Sequence, residues 1–262
     1  TAAHRYYAIK KGSQSKRLID YRLDELKEGD YVRVEPSPLW QSNPEEYLEG
    51  LKSGILLGDG SYTEYAMSHN TVKIASSTDD VEFNQNIKEL FGVDKFRKDD
   101  LQSGSKSMNM ILSGGRQIIQ QLQLTPSYSH EKTFEITKIS SRDKALGFID
   151  GLLATDGDIL LRSNHPQIRF VTSSQKLAQN IRRLLLMLGC HGRIFSSFID
   201  DGGWIGERKI VRKHRKYQII VSGEGAGRLA RMSQLEKISP IKGKKMKELR
   251  KEWLTTGNTW KA

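Results

Sequence analysis

A ten-residue pattern that occurs twice constrains the fold of this chain more than any other feature of its sequence. Segments 51–60 and 148–157 both read glycine, four further residues, aspartate and glycine. Each copy is followed by an alternating apolar stretch, at 72–78 or 168–174, and then by a helical pattern that closes at a glycine. Self-similarity of this kind indicates two copies of one structural unit. We therefore predict an α+β fold built from two similar halves.

The repeat also sets the predicted domain boundaries. With 262 residues the chain is long enough for two units of about 100–150 residues each. We place the first half at 41–140 and the second half at 141–262, each reading helix, strands, helix, strands, helix. Extra length around 200–216 makes the second copy longer. Residues 1–40 lie outside the repeat, and the two halves are expected to form a saddle about a pseudo-twofold axis.

Composition limits the possible partners. The chain has 42 Lys and Arg against 31 Asp and Glu, a net charge of +11. Such an excess favours a polyanionic partner, because Lys and Arg neutralise phosphates and release counterions. The alternative is a basic surface that only keeps the protein in solution. The apolar runs fall short of the about 18 residues that a membrane span needs, so we expect no membrane partner.

Cysteine usage bears on the compartment. Cys190 is the single cysteine, and one cysteine cannot form an internal disulfide. This agrees with a reducing environment. We therefore expect an intracellular protein, in the cytoplasm or nucleoid, or in an organelle of a eukaryote. The apolar residues before Cys190 indicate a small buried side chain rather than a nucleophile.

Small residues at one-turn spacing predict close contact between the two motif helices. Gly54 and Gly58 share one face of the first helix, and Gly151 and Thr155 share one face of the second. Small side chains at this spacing allow two helix backbones to approach each other closely. We therefore predict that these four residues pack the helices together at the centre of the repeat.

Two aspartates would emerge side by side where those helices end. Asp59 and Asp156 close the two copies, and Gly60 and Gly157 suit a left-handed turn after each helix. Adjacent carboxylates at the negative ends of helices repel each other and favour a bound cation. Oxygen ligands favour Mg²⁺, which can activate water for attack on a phosphodiester. The alternative, a purely structural helix end, is disfavoured because an acidic residue opposes the helix dipole at both sites.

The two segments resemble the paired motif of the LAGLIDADG homing endonucleases, and the first resembles the dodecapeptide form found within inteins. The resemblance extends from about Pro44 to about Leu249. It implies a single-chain, monomeric enzyme that cuts both strands of a long asymmetric double-stranded DNA target. A cleavage-inactive DNA-binding regulator or an RNA maturase of the same family is the alternative function. The retention of both aspartates favours the enzyme.

The resemblance also implies which residues form the active site. One carboxylate comes from each half, and two or more Mg²⁺ ions lie between them. The implied metal-binding residues are Asp59, Asp156, Gly58 and Thr155. Family members also place a lysine near each active site to assist water or the scissile phosphate.

Two positions are candidates for each of these lysines. In the first half Lys132 resembles the family position, with Lys138 as the rival because Glu135 stands where a proline is common. In the second half the repeat places the partner at Lys242, with Lys244 as the rival. The predicted catalytic set is therefore Asp59, Asp156, Lys132 and Lys242.

Basic residues on the strands are the candidates for DNA contact. A two-stranded ribbon fits the major groove, where arginine reads guanine, while basic residues at its edges hold phosphates. We predict strand segments at 61–68, 108–112, 158–162 and 204–218. Within the last, 208–216 is either a preformed strand or a loop that orders only on DNA. The candidate DNA-binding residues are Arg162, Arg169, Arg193, Arg208, Lys209, Arg212, Lys213, Arg215 and Lys216.

The N-terminal segment carries a second resemblance. Residues 1–4 resemble the Thr-x-x-His motif of intein splicing domains, and residues 28–30 resemble a turn common in them. This implies that residues 1–40 are a splicing-domain remnant or a linker. The sequence has no terminal His-Asn pair followed by a nucleophile, so we expect no splicing activity from the chain.

Overall fold

A computed structural model describes residues 5–13, 19–32, 41–92, 97–98, 107–161, 166–198, 201–205, 208–211 and 214–255. The chain divides into two compact units, 1–38 and 39–262. Across the described ranges, the helices are all too short or too polar to cross a membrane. His4 of the predicted splicing-domain motif lies outside the described residues.

The first unit is a small antiparallel sheet. Its strands are β1 (Arg5–Ile9), β2 (Ile19–Arg22) and β3 (Tyr31–Val32), in the order β2-β1-β3. The turn before β3 is organised by Asp30, whose carboxylate accepts hydrogen bonds from the backbone N–H groups of Lys11 and Lys27 at 2.9 Å each. Gly29, with φ of 96°, supplies the left-handed residue that this turn needs.

The second unit contains the repeat, and its two halves have matching elements. The first half consists of α1 (Glu46–Gly58), β4 (Gly60–Ser61), α2 (Glu64–Ser68), β5 (Thr71–Ser77), α3 (Val81–Phe91), β6 (Arg97–Lys98), β7 (Ser107–Ser113) and α4 (Gly115–Gln121). The second consists of α5 (Arg142–Ala154), β8 (Gly157–Leu160), β9 (Gln167–Thr172), α6 (Gln175–Met187), β10 (Gly192–Ser197), β11 (Asp201–Ile205), β12 (Arg208–Val211), β13 (Lys216–Ser222), α7 (Gly223–Met232) and α8 (Pro240–Thr255).

Sheet topology shows that the halves share one fold. The first half has the antiparallel order β4-β5-β7-β6, and the second has the order β8-β9-β13-β10. The strands correspond one to one when α1 is matched to α5 and α3 to α6. The predicted α+β fold of two similar halves is confirmed.

The hydrophobic core lies on one face of each sheet. Alternate strand residues such as Val72, Ile74, Ile168 and Phe170 are buried, whereas their neighbours along the strands are partly or fully exposed. Helices α3 and α6 cover the buried faces with the apolar sides of their amphipathic patterns. The alternate residues on the other face of each sheet, such as Lys73 and Arg169, are only partly buried.

Helices α1 and α5 pack against each other through glycine. A Cβ at Gly54 would lie 2.9 Å from Leu152 N, and a Cβ at Gly151 would lie 2.7 Å from Ile55 N. Both would lie closer still to a backbone oxygen of the other helix, nearer than real Cβ atoms come. A Cβ at Gly58 would likewise collide with the Thr155 side chain. The structure thus places all four predicted packing residues at the contact between these helices.

The prediction of left-handed turns at Gly60 and Gly157 is wrong. Neither is among the described glycines with positive φ, and each is instead the first residue of a strand. Glycine is needed there because a Cβ would lie 2.7 Å from Leu56 Cα or 2.5 Å from Leu153 Cα. Each strand begins by passing over the last turn of the helix that precedes it. This close approach leaves no room for a side chain at Gly60 or Gly157.

The strand predictions are correct in part. Segment 108–112 lies within β7, but segment 61–68 does not form one strand. Its β4 ends at Ser61, and the Thr63 hydroxyl then caps α2 by accepting from the Ala66 N–H at 3.4 Å. The alternation of apolar and polar residues favours a strand there, but the Thr63 cap favours a helix, because it satisfies a helix N–H that would otherwise lack a partner.

The insertion of the second half forms a hairpin in its described part. Strands β11 and β12 pair antiparallel, with Trp204 opposite Lys209 and Ile205 opposite Arg208. Segment 208–211 is thus strand rather than loop, and β13 begins at Lys216. Arg162, Arg212 and Lys213 lie outside the described residues.

Candidate active site

The two motif aspartates come together at one cavity. Asp59 directly follows α1, and Asp156 follows α5 after the intervening Thr155, so the glycine contact between the helices brings both carboxylates to the same place. Both line a cavity of about 620 Å³, which is also lined by Lys132, Thr172 and the segment 214–216. The cavity therefore joins residues from both halves.

The electrostatics of the pair favour a bound cation. Burial raises the pKa of Asp59 to about 6, and the charge of Asp156 adds to the rise while Lys242 and Lys132 oppose it. Burial also raises the pKa of Asp156, although that carboxylate reaches the solvent of the cleft. No described residue donates a hydrogen bond to either carboxylate. The partly desolvated pair therefore has little compensation beyond the two lysines among the described residues, and a bound divalent cation would supply further positive charge.

A buried lysine lies at the end of α1. The side chain of Lys132 is 5% exposed, and its Nζ donates to the carbonyl oxygens of Gly58 and Gly60, both at 2.7 Å. Burial lowers the pKa of this lysine to about 8, while Asp156 and Asp59 act in the opposite direction. The ammonium group therefore satisfies the carbonyl end of the first motif helix and lies beside both carboxylates.

An equivalent lysine lies at the end of α5. Lys242, in the first turn of α8, donates from Nζ to the carbonyl oxygens of Leu153 at 3.0 Å, Ala154 at 2.9 Å and Thr155 at 2.5 Å. Burial lowers its pKa, and Asp59 and Asp156 oppose the shift. The two halves thus place one carboxylate and one lysine each around a common centre.

The rival lysines lie elsewhere. Lys138 is exposed and pairs with Glu135 at 3.3 Å. Lys244 is exposed on α8. The structure therefore brings together the predicted set Asp59, Asp156, Lys132 and Lys242 and leaves both rivals at the surface.

The ligand atoms of the site fit a hard cation. Among the described residues no group of three or more His, Cys, Asp or Glu side chains could hold a metal. An ion at Asp59 and Asp156 would complete its shell with backbone, water or phosphate oxygens, which is the ligand set of Mg²⁺ and not of structural Zn²⁺. Gly58 and Thr155 were also predicted to bind the metal. Their carbonyl oxygens each accept a hydrogen bond from a lysine and keep a second lone pair.

The predicted DNA-binding residues occupy different places. Arg169 and Arg193 lie on strands of the second sheet, on its outer face. Arg215 and Lys216 line the cavity of the carboxylate pair. Arg208 and Lys209 lie on β12, which precedes Arg215 and Lys216 in the chain.

Sequence reasoning missed two features beside the cavity. The His130 and His214 rings stack with centroids 3.9 Å apart and planes 8° apart, which joins the segment before α5 to the loop before β13. Asp158 pairs with Arg169 on the outer face of the second sheet. The sequence did carry a signal for this pair, because Asp158 lies on an alternating strand two residues after Asp156.

A third missed residue, Asp150, is structural. It is fully buried in α5 and accepts hydrogen bonds from Tyr47 Oη at 2.8 Å, Ser233 Oγ at 2.6 Å and Gln234 N at 2.8 Å. Burial raises its pKa to about 6, and these three hydrogen bonds act against the rise. Asp150 thus ties both motif helices to the segment after α7.

These features define an α+β protein of two equivalent halves with paired carboxylates and paired lysines at the ends of two glycine-packed helices. Residues 143–232, from α5 to α7, match the family described as LAGLIDADG-like domain. This match covers most of the second half, and the first half shares the strand order of the matched segment. No curated protein sequence matches the chain.

Solved structures of two kinds are similar to the chain. A mesophilic variant of the homing endonuclease I-DmoI is 15% identical, covering 74% of this chain and 99% of that one, with a TM-score of 0.47. I-DmoI in complex with DNA and Ca is also 15% identical, covering 75% and 87%, with a TM-score of 0.40. The N-terminal LAGLIDADG domain of DUF199/WhiA is 11% identical, covering 75% and 84%, with a TM-score of 0.45.

Proposed function

We propose that this chain is a site-specific, Mg²⁺-dependent DNA endonuclease of the LAGLIDADG type that cuts both strands of a long asymmetric target. One observation carries the proposal: Asp59 and Asp156 line one cavity, and each is accompanied by a lysine that caps the helix before it. A purely structural role for the aspartates would not require a buried lysine and a half-buried one beside them.

The proposed chemistry divides between the metal and the chain. Bound Mg²⁺ would supply Lewis acidity and a nucleophilic water at neutral pH. Asp59 and Asp156 would hold the ions at the centre of the repeat. Lys132 and Lys242, fixed by their hydrogen bonds to helix-end carbonyls, would place positive charge where charge builds up on the scissile phosphates. With its pKa lowered to about 8, Lys132 could also exchange a proton with water.

The proposed partner is double-stranded DNA bound across the outer faces of the two sheets. The net charge of +11 provides attraction to the phosphate backbone. The two sheets share their strand order but differ in side chains, which favours an asymmetric target. Because one chain supplies both halves, we propose that the enzyme acts as a monomer.

We further propose an intein origin for the enzyme. Support comes from the sequence resemblance of residues 1–4 and 28–30 to splicing domains and from the separate compactness of the first unit. On this proposal the cutting site belongs entirely to the second unit.

The proposal can be tested without knowledge of the natural target. Duplexes would be selected from a random-sequence DNA library by binding to the chain in EDTA, cloned into a supercoiled plasmid and incubated with the chain and Mg²⁺. We expect a linear product with ends at one position in the selected site. Glu248→Gln, which removes an exposed charge on α8, serves as a control for the effect of substitution itself and should cut like the wild-type chain.

Two other outcomes would identify the alternative functions. Specific duplex binding without cutting at any Mg²⁺ concentration would indicate a DNA-binding regulator. Failure to select any duplex, together with selection of structured RNA from a matched RNA library, would indicate a maturase. Either outcome would refute the proposed endonuclease.

A further inference from the structure

The two sheets carry equivalent rows of residues that are paired across their strands. Each row crosses four neighbouring strands and joins directly opposed residues. In the first half the row is Ser61, Lys73, Ile111 and Arg97. In the second half it is Asp158, Arg169, Ile220 and Arg193.

The rows match in chemical type at three of four positions. From the second position onward, each row consists of a basic residue, an isoleucine and a second basic residue. They differ at the first position, where the first half has the neutral Ser61 and the second half has the acidic Asp158. The second half has therefore placed a carboxylate in a row that is otherwise basic and apolar.

Strand alternation shows which face carries the row. Gly157 and Ile159 on β8 and Ile168 and Phe170 on β9 are buried against the core. Asp158 lies between Gly157 and Ile159, and Arg169 lies between Ile168 and Phe170. Because side chains alternate along a strand, both Asp158 and Arg169 face outward. This face begins two residues beyond the motif aspartate Asp156.

Asp158 holds two cationic side chains on this face. Its Oδ2 lies 2.5 Å from Arg169 Nη2, and its Oδ1 lies 3.8 Å from Lys245 Nζ. Arg169 is 28% exposed, and its Nε is buried without a hydrogen-bond partner among the described residues. The guanidinium is thus buried at its Nε edge and held on one side by the carboxylate.

We propose that Asp158 is a positioning residue that makes Arg169 a reader of guanine in the half-site bound by the second half. This inference rests on the proposed function. Guanine offers O6 and N7 as a pair of acceptors in the major groove, and a planar guanidinium held in one orientation matches them. A phosphate at the same place would face the Asp158 carboxylate and be repelled. Asp158 thus directs Arg169 to a base and keeps Lys245 from the backbone.

The two halves then read DNA differently at equivalent positions. In the first half the corresponding cation is Lys73, a point charge without the planar fork of arginine, and the neighbouring Ser61 does not repel phosphate. We expect a strong guanine preference at one position of the second half-site and a weaker one at its symmetry-related position.

The test measures binding without cleavage. The probe is the duplex that the wild-type chain selects from a random-sequence library in EDTA, together with its single-base variants, titrated over a range of salt. The variants are Asp158→Ser, which installs the first-half residue, Asp158→Asn, which keeps size without charge, and Arg169→Gln. Glu224→Gln is the matched control, because it removes a carboxylate from another exposed pair with an arginine, Arg228 on α7.

The variants should separate positioning from general charge. Arg169→Gln should abolish a guanine preference on the order of tenfold at one position. Both Asp158 variants should weaken the preference at that same position. They should also steepen the salt slope by about one to two, since each cation released to a phosphate contributes roughly 0.9. Glu224→Gln should change neither quantity.

The contrary results are distinct from failure of the proposed function. If the wild-type chain selects no duplex, the endonuclease proposal fails first. If it does select one, but both Asp158 variants keep the wild-type preference and slope, only the positioning role is refuted. An equal change of slope in Glu224→Gln would also refute it, because the effect would then follow net charge alone.

Discussion

Replacement of Gly54 by alanine tests whether the close packing of α1 and α5 builds the site. The added Cβ would lie 2.9 Å from Leu152 N and 3.0 Å from Gly151 Cα, and closer to the Phe148 carbonyl oxygen. All three neighbours are backbone, so no side chain can rotate away. The helices would have to separate by more than about 1 Å to restore ordinary contacts near 3.5–4.0 Å.

The magnitude follows from two opposing effects. Overpacking of a tight contact costs about 1–3 kcal/mol or more, and displacement of two whole helices lies at the upper end. Alanine regains about 1 kcal/mol of helix propensity relative to glycine. We therefore expect a net loss of about 2 kcal/mol in the free energy of unfolding. For a unit of this size that lowers the melting temperature by roughly 4–8 °C.

Thermal unfolding followed by circular dichroism measures this effect. Leu48→Ala provides the control on the same helix, because Leu48 is 54% exposed and its truncation should change the melting temperature little. Gly54→Leu and Gly151→Leu should lose more stability than Gly54→Ala, since the larger side chain enters the same gap. A Gly54→Ala protein that melts at the wild-type temperature would show that the two backbones do not meet as described.

Three further predictions concern assembly, DNA affinity and the buried aspartate. Sedimentation should show a monomer at micromolar concentration; a stable dimer would contradict the idea that one chain supplies both halves. Replacing Lys209, Lys213 and Lys216 with alanine should weaken binding to target and scrambled duplexes alike and flatten the salt slope by about two to three, whereas lost discrimination at an unchanged slope would mean that the segment reads bases. Asp150→Ala should lower the free energy of unfolding by about 3 kcal/mol, because it leaves three buried donors without an acceptor. Because the folded pKa of Asp150 is raised to about 6, its ionisation should reduce stability as pH rises from about 4 to 6, and Asp150→Asn should remove that slope in urea titrations.

The sequence predicted the centre of the fold because the repeat expresses a geometric requirement. Two helices can touch along their backbones only where both carry small residues, so Gly54 and Gly151 indicated the contact directly. Once the contact is given, the positions of Asp59 and Asp156 follow from chain connectivity. These features depend on residues close in sequence to the motif.

The lysines were harder to predict because their role is set by tertiary contacts. The local sequence around Lys132 left Lys138 as a rival. The two differ in burial of Lys132 against the carbonyl end of α1, which lies more than 70 residues away in the chain. The repeat alignment pointed to Lys242 for the same reason that it pointed to Asp156. Comparison between halves therefore carried more information than the local pattern.

The missed features also depend on contacts across the fold. Gly60 was interpreted as a left-handed turn residue because local rules link glycine at a helix end with positive φ. Its actual requirement is the passage of β4 over Leu56, which no local pattern shows. Asp158 was missed because its partners Arg169 and Lys245 lie on a neighbouring strand and on α8.

Cleavage of a selected target plasmid by Asp59→Asn and Asp156→Asn tests the central claim most directly. Each substitution keeps the size of the side chain and removes one metal-binding carboxylate. We predict that the wild-type chain converts supercoiled plasmid to linear product only with a divalent cation. Neither variant should produce linear DNA, although both should bind the selected duplex at least as tightly, since each loses a negative charge near phosphate. Linear product from either variant at the wild-type rate would contradict the paired-carboxylate site.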